Sequence, residues 1–240
     1  SGQSAMKQGL AAFNEKNYPA AIAQLTRATK RLTDSAQLYY HLGLAHLYQG
    51  DMEPALAAFN AALELAPDHS EATACLGQIA YLQNDQPKAQ AYFEKALATA
   101  SGDEAKARVL TSLALTEMAR NRNDLARLYL LRAQWHNRLY APALYNLASL
   151  YRDKFNLREE ALDQFELYAR LAPKGDRHRE KAENNIKRLR LNLARTQAEE
   201  AEGQRRDPAA AAQLLQEGAR LHAAKQYPKA SKAFRDALAA

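Results

Sequence analysis

The chain has 240 residues, 25% charged and 47% hydrophobic, a balance that excludes intrinsic disorder. Its single cysteine, Cys75, excludes an intrachain disulfide and a thiolate metal cage, and the longest charge-free stretch, residues 35–50, is too short and too polar for the ~20 apolar residues of a membrane-spanning helix. The net charge of +6 is uneven: residues 1–100 carry 7 Lys and Arg against 9 Asp and Glu, and residues 101–240 carry 26 against 18, mostly alternating in sign as on a solvated helix face.

Apolar residues recur at helical spacing in segments of about a dozen residues joined by short polar turns, and no stretch alternates as a half-buried strand would. The predicted helices are 3–15, 19–31, 36–49, 53–65, 70–83, 87–99, 104–120, 124–136, 141–153 and 158–171. Gly43 and Gly77, Ala55 and Ala89, Phe59 and Phe93, and Ala62 and Ala96 are four pairs, each 34 positions apart. Such a period marks a repeat array.

The frame extends upstream through Gly9, Ala21, Leu25 and Ala28, and downstream, with small slips, through Ala126, Leu130 and Ala133 and then Ala161, Phe165 and Tyr168. Five copies are expected, at about 2–35, 36–69, 70–103, 107–140 and 141–174, with a sixth, truncated copy over 211–240 from Gly218, Ala230, Phe234 and Ala237. All eight prolines fall at predicted helix boundaries, where a missing N–H costs little.

Between the arrays, 177–201 reads as one long charged helix with Ala182, Ile186, Leu189 and Leu193 on one stripe, the expected cap of the first array. Residues 202–210, around Gln204, Arg205, Arg206, Asp207 and Pro208, read as a linker.

Tyr39, Leu42, Gly43, Ala55, Phe59, Ala62 and Pro67 of the second copy resemble the tetratricopeptide repeat family, as do residues 3 to about 173 and again 211–240. That resemblance implies an all-α fold, an α-solenoid of antiparallel helix pairs forming a tetratricopeptide superhelix, with the long capping helix as its end. Small residues at Gly43 and Ala55 let two helices approach while Phe59 fills the space beneath them. Departures are modest: the usual large residue in the fourth place is Ala5, Thr73, Leu110 and Leu144 in four copies, and Ala114 replaces glycine in the fourth.

Motifs of catalysis are absent: there is no phosphate-cradling glycine loop, His-Glu-x-x-His helix, nucleophile elbow or calcium loop. His41 and His46, five apart, lie about 140° apart around a helix and do not share a metal. No catalytic residue, metal or cofactor is expected. His69, His136 and His178 read as surface residues, Trp135 as packing between copies four and five, and Cys75 as a small packing residue.

In the resembled family the first helices line the concave side, so their outward residues form a groove. Here these are Lys7, Leu10 and Asn14, then Tyr40, His41, Leu44 and Tyr48, then Glu71, Gln78 and Tyr81, then Arg108, Thr111, Ser112, Leu115 and Met118, then Tyr145, Asn146, Ser149 and Arg152. Tyrosines give rigid rings with hydroxyl handles, and Asn146 and Gln78 can bond a peptide backbone. The alternative at each tyrosine is packing against the neighbouring copy. One subset of the family clamps acidic C-termini with Lys, Asn and Arg; the matching places read Met6, Leu10, His41, Glu71 and Cys75, so that clamp is absent. The arginines at 120, 122, 127, 132 and 138 read as a solvated face rather than a nucleic-acid surface.

The expected function is a non-catalytic scaffold that binds an extended or helical segment of a protein or peptide partner in the groove. Two alternatives stand: the substrate-docking region of a larger enzyme, such as a glycosyltransferase or protease, and an envelope assembly factor. The alanine-rich, glutamine-rich texture fits a bacterial source. The first residues lack the succession of a signal peptide, and the compartment, cytoplasmic or periplasmic, stays open.

Overall fold

A computed structural model describes residues 1–205 and 208–239. Among them every regular element is helical, in the order α1 (Gly2–Asn14), α2 (Tyr18–Thr29), α3 (Ala36–Gln49), α4 (Met52–Leu65), α5 (Ser70–Leu82), α6 (Gln86–Thr99), α7 (Asp103–Ala119), α8 (Asn123–His136), α9 (Ala141–Leu150), α10 (Arg158–Leu171), α11 (Arg177–Arg205), α12 (Pro208–Ala223) and α13 (Tyr227–Ala239). The first ten lie within two residues of the expected limits except α9, which ends at Leu150 and runs into a π turn, Tyr151–Phe155.

The punctuation is local chemistry. Ser1, Asn17, Ser35 and Asp85 accept hydrogen bonds from backbone N–H groups of the first turns of α1, α2, α3 and α6, and His69 Nδ1 does so for α5. Within each hairpin one residue adopts a left-handed conformation that reverses the chain: Lys16, Gly50, Asn84, Asn121, Asn156 and Lys225, with φ from 54° to 97°.

The chain divides into two compact units, Ser1–Glu183 and Asn184–Ala240. In the first, α1 with α2, α3 with α4, α5 with α6, α7 with α8 and α9 with α10 form antiparallel hairpins, and successive first helices touch one another along one face, α1 to α3, α3 to α5, α5 to α7 and α7 to α9. This is an α-solenoid of stacked helix pairs. Each of the first four hairpins is closed by a small residue on its first helix and a large one sixteen positions later. A Cβ on Gly43 would lie 2.6 Å from the Phe59 ring, one on Gly77 2.8 Å from Phe93, and one on Gly9 2.7 Å from Leu25. Copy four pairs Ala114 with the smaller Leu130, both fully buried.

Copy five departs by one residue. Its closing pair, Ala148 and Phe165, is separated by seventeen positions, and the π turn holds the extra residue, because an i to i+5 loop accommodates one more residue than an α turn. The closing bond shows the same addition: Leu157 N–H reaches back to Tyr151 O, whereas Asp51 reaches His46 and Asp85 reaches Ala80.

In the second unit α12 and α13 pack as a hairpin, and a Cβ on Gly218 would lie 2.7 Å from Phe234, the same closing pair again. Helix α11 runs through Arg205 and α12 starts at Pro208; of the expected linker, Arg206 and Asp207 lie outside the described residues. On α11 Ala182, Ile186 and Leu189 are buried and Leu193 is half-buried.

Three expectations for single side chains are corrected. Trp135 does not pack between copies: it is 81% exposed, because Leu130, Ala133 and Gln134 take the inward phase of α8. His69 and His136 are not surface residues. The His69 side chain is 12% exposed as it caps α5, and His136, at 13%, has Nδ1 2.9 Å from Asp103 Oδ1.

Candidate functional site: the inner face of the first unit

Helices α3, α5 and α7 converge incompletely and leave a cavity of about 250 Å³ between them. Tyr40, Leu44 and Tyr48 come from α3, Glu71, Ala74, Cys75 and Gln78 from α5, and Arg108 and Ser112 from α7, with Phe13 of α1 at one end. Spacing explains the set: residues three and four apart on one helix share a face. At the end where these helices begin, a second, more open cavity of about 520 Å³ is lined by Gln37, Asp68, His69 and Ser101 and shares Tyr40, Ser70, Glu71 and Arg108 with the first.

Of the residues expected to line a groove, Tyr40, Leu44, Tyr48, Glu71, Gln78, Arg108 and Ser112 thus meet around one cavity. Tyr145 and Asn146 lie at a separate one of about 270 Å³, with Pro142, Tyr168 and His178. His41 sits beside the first group, its Nε2 2.9 Å from Gln37 Nε2. Thr111 is buried, its hydroxyl donating to Ala107 O at 2.8 Å, while Leu115 is half-buried and Tyr81 packs against the buried cluster around Phe93 and Leu110. Arg152 is held by Asp153 through two bonds of 2.6 and 2.7 Å, with its guanidinium 5.5 Å from the Phe165 ring, and Ser149 is half-buried.

The tyrosines divide by role. Tyr40 lies against the rings of His41, Phe59 and His69, at 5.3, 6.2 and 4.9 Å, and Tyr145 against Phe165, Tyr168 and His178. Each therefore presents one edge to the cavity and packs with the rest. Tyr48 is different: 61% exposed, it stacks on Tyr18 at 5.5 Å with Phe13 edge-on at 5.7 Å. Phe13 and Tyr18, which make this aromatic end wall, were not legible from the first-helix register, because Tyr18 belongs to α2 and reaches round the turn.

Electrostatics follow from partial burial. Burial, and then the neighbouring Cys75 and Glu71, raise the Tyr40 hydroxyl well above the ordinary tyrosine value, against the opposing pull of Arg108. Burial pushes the Cys75 thiol up to about 12 although Arg108 pulls it down, which favours the protonated thiol near neutral pH. Burial, with His69 adding to it, lowers His41, and its Nδ1 is buried without a hydrogen-bond partner among the described residues. Arg108, reaching both cavities, has no ion-pair partner among the described residues. Among the described residues no group of three or more His, Cys, Asp or Glu is arranged to hold a metal ion, and no helix is long and apolar enough to cross a membrane.

Solved structures similar to this chain share its solenoid. A structure from the functional characterization of Pseudomonas aeruginosa PilF is 18% identical with a TM-score of 0.66, covering 84% of this chain and 97% of that one. PilW, a widely conserved type IV pilus biogenesis factor, is 20% identical with a TM-score of 0.65, covering 82% and 92%. Yeast Tom70 is 17% identical with a TM-score of 0.67, covering 81% of this chain and 41% of its own. At these identities the likeness is one of fold. No curated protein matches the sequence. The tetratricopeptide repeat profile matches residues 6–70 and 40–104, the stretch that builds the larger cavity's α3 and α5 and their partners α4 and α6. With that match residues 6–104 are tetratricopeptide repeats, and the hairpins that follow them, closed by Ala114 with Leu130 and by Ala148 with Phe165, are built in the same way.

Proposed function

We propose that this non-catalytic repeat scaffold takes a segment of a partner protein along the inner face of α3, α5 and α7. The observation that carries the reading is the pair of cavities that share Tyr40, Ser70, Glu71 and Arg108 as walls, with the Arg108 guanidinium, unpaired among the described residues, on both and aromatic rings at one end. Apolar volume with a few convergent polar groups is the usual form of a recognition site. Tyr48 and Phe13 supply rigid contact area, Gln78 and Ser112 supply hydrogen bonds to a peptide backbone, and Arg108 favours a carboxylate on the segment. A protonated Cys75 thiol at the cavity wall fits binding rather than chemistry.

The test is selection of peptides from a random display library on the full chain, followed by affinity measurements on variants that keep their helical circular dichroism. Arg108→Ala and Tyr48→Ala should each weaken the selected peptides about tenfold, a typical loss for a buried anchor. Affinities unchanged in both variants would remove this face from consideration. Tyr145→Ala separates the cavity beside Pro142 and His178 from the two along α3, α5 and α7 in the same measurement.

A second reading, an envelope assembly factor, is favoured by one observation: two of the structures sharing the fold over more than nine-tenths of their own length are PilF and the pilus biogenesis factor PilW. Loss of a surface assembly on deletion of the gene, restored by the wild type and not by Arg108→Ala, would join the two readings.

A further inference from the structure

Helix α8 carries an apolar face turned away from its own hairpin. Leu125, Leu128 and Leu131 are 43%, 51% and 43% exposed, Trp135 is 81% exposed, and Leu139 in the following turn is 53% exposed. Their spacing of three or four residues makes them one stripe. Together they expose on the order of 500 Å², the size of the largest apolar patch on a typical monomer, and such patches mark interaction sites.

The flanks of the stripe differ in sign. Arg127 of α8 lies 4.6 Å over the Phe155 ring and Gln134 donates to Gln164, so α8 and α10 run side by side in one direction. On that side Glu159, Glu160 and Asp163 of α10 are exposed and have no ion-pair partner among the described residues, while Asp124 is paired with Arg127 at 3.3 Å. On the α6 side stand Arg132, without an ion-pair partner among the described residues, and Arg120 and Arg122, which share one buried carboxylate, Glu117. Glu94 of α6 and Arg132 both bear on the Tyr129 hydroxyl, with opposite sign. One flank is therefore net acidic and the other net basic.

We infer that this face is a self-association surface, on which two copies meet α8 against α8 about a twofold axis parallel to the helix. That axis exchanges left and right, so each Arg132 flank lies over the Glu159 and Asp163 flank of the second copy while the Leu and Trp135 stripes are buried between them. An axis perpendicular to the helix would set acidic flank against acidic flank. An anionic bilayer fits poorly for the same reason, since the α10 carboxylates border the stripe and would face the headgroups. Two faces of this size bury on the order of 1,000 Å² in total, the lower limit for a specific interface, and give a weak dimer rather than an obligate one.

The experiment is sedimentation velocity of the full chain from micromolar to near-millimolar concentration, with emission of the sole tryptophan, Trp135, followed in parallel. Self-association should increase with concentration and carry a blue shift of Trp135 emission. Leu128→Ser should weaken association about tenfold or more, and Arg132→Glu should weaken it several-fold. Adding Glu159→Arg and Asp163→Lys to Arg132→Glu should restore association, because both flanks then change sign together. The inference is overturned by a single monomeric species at every concentration, by association that ignores Leu128→Ser, or by a Trp135 shift with phosphatidylglycerol vesicles in the absence of self-association. None of these outcomes depends on the inner face.

Discussion

At Gly77 the hydrogen on the Cα is all that the Phe93 ring leaves room for: a methyl group there would sit 2.8 and 2.9 Å from two ring carbons. Gly77→Leu should therefore overpack the hairpin and lower stability by about 1 to 3 kcal/mol, read as a lower urea midpoint at unchanged slope. Glu117, 1% exposed, accepts from Arg120 at 3.5 Å and faces Arg122 at 3.7 Å, and is the buried charge of copy four. Glu117→Ala should cost about 1 to 3 kcal/mol by the same measurement, since both guanidiniums lose their counter-charge. His41 gives a pH signature. Its folded value lies below the ordinary histidine value because burial disfavours the cation, so the neutral ring's stability is present above about pH 6.5 and is lost as pH falls through the folded value. The urea midpoint should drop between neutral and mildly acidic pH, and His41→Gln should shrink that drop.

At the scale of helices, the sequence shows where elements begin and end more plainly than what their outer faces do. Gly, Ala and Phe at a fixed period are steric requirements of the hairpin crossing, and proline positions are backbone requirements, so both survive as letters in the chain. Trp135 was misplaced because a large ring on a second helix looks like packing until the phase of its neighbours, Leu130 and Ala133, is known. His69 and His136 were misplaced because a cap and a contact to Asp103 thirty-three residues away are tertiary facts. In the groove, seven expected residues, Glu71 and Ser112 among them, share one cavity because they lie on three adjacent first helices, while Thr111 lies one position off the register and turns inward to Ala107. The π turn in copy five makes a separate prediction. Deleting Asp153 should be tolerated within about 1 kcal/mol, since the turn then reverts to the spacing of the other copies, whereas deleting Asn84 should cost about 2 kcal/mol or more by breaking the turn before α6. Thermal unfolding followed by circular dichroism distinguishes the two.

For the whole molecule, stacked hairpins contact mainly their neighbours, and stability accumulates copy by copy. A chain beginning at Ser35, which lacks α1 and α2, should keep the helical signal of the remaining copies and melt at a lower temperature; loss of all helicity would contradict nearest-neighbour stacking. The same locality confines each closing pair to its own hairpin, and that gives sequence drift a direction. Copy four holds Ala114 over Leu130 where copies two and three hold glycine over phenylalanine. Copy one stands between those states with glycine over leucine, and a Cβ on Gly9 would still lie 2.7 Å from Leu25, so drift toward alanine waits on a shift of the leucine and the two positions are inherited as a coupled locus.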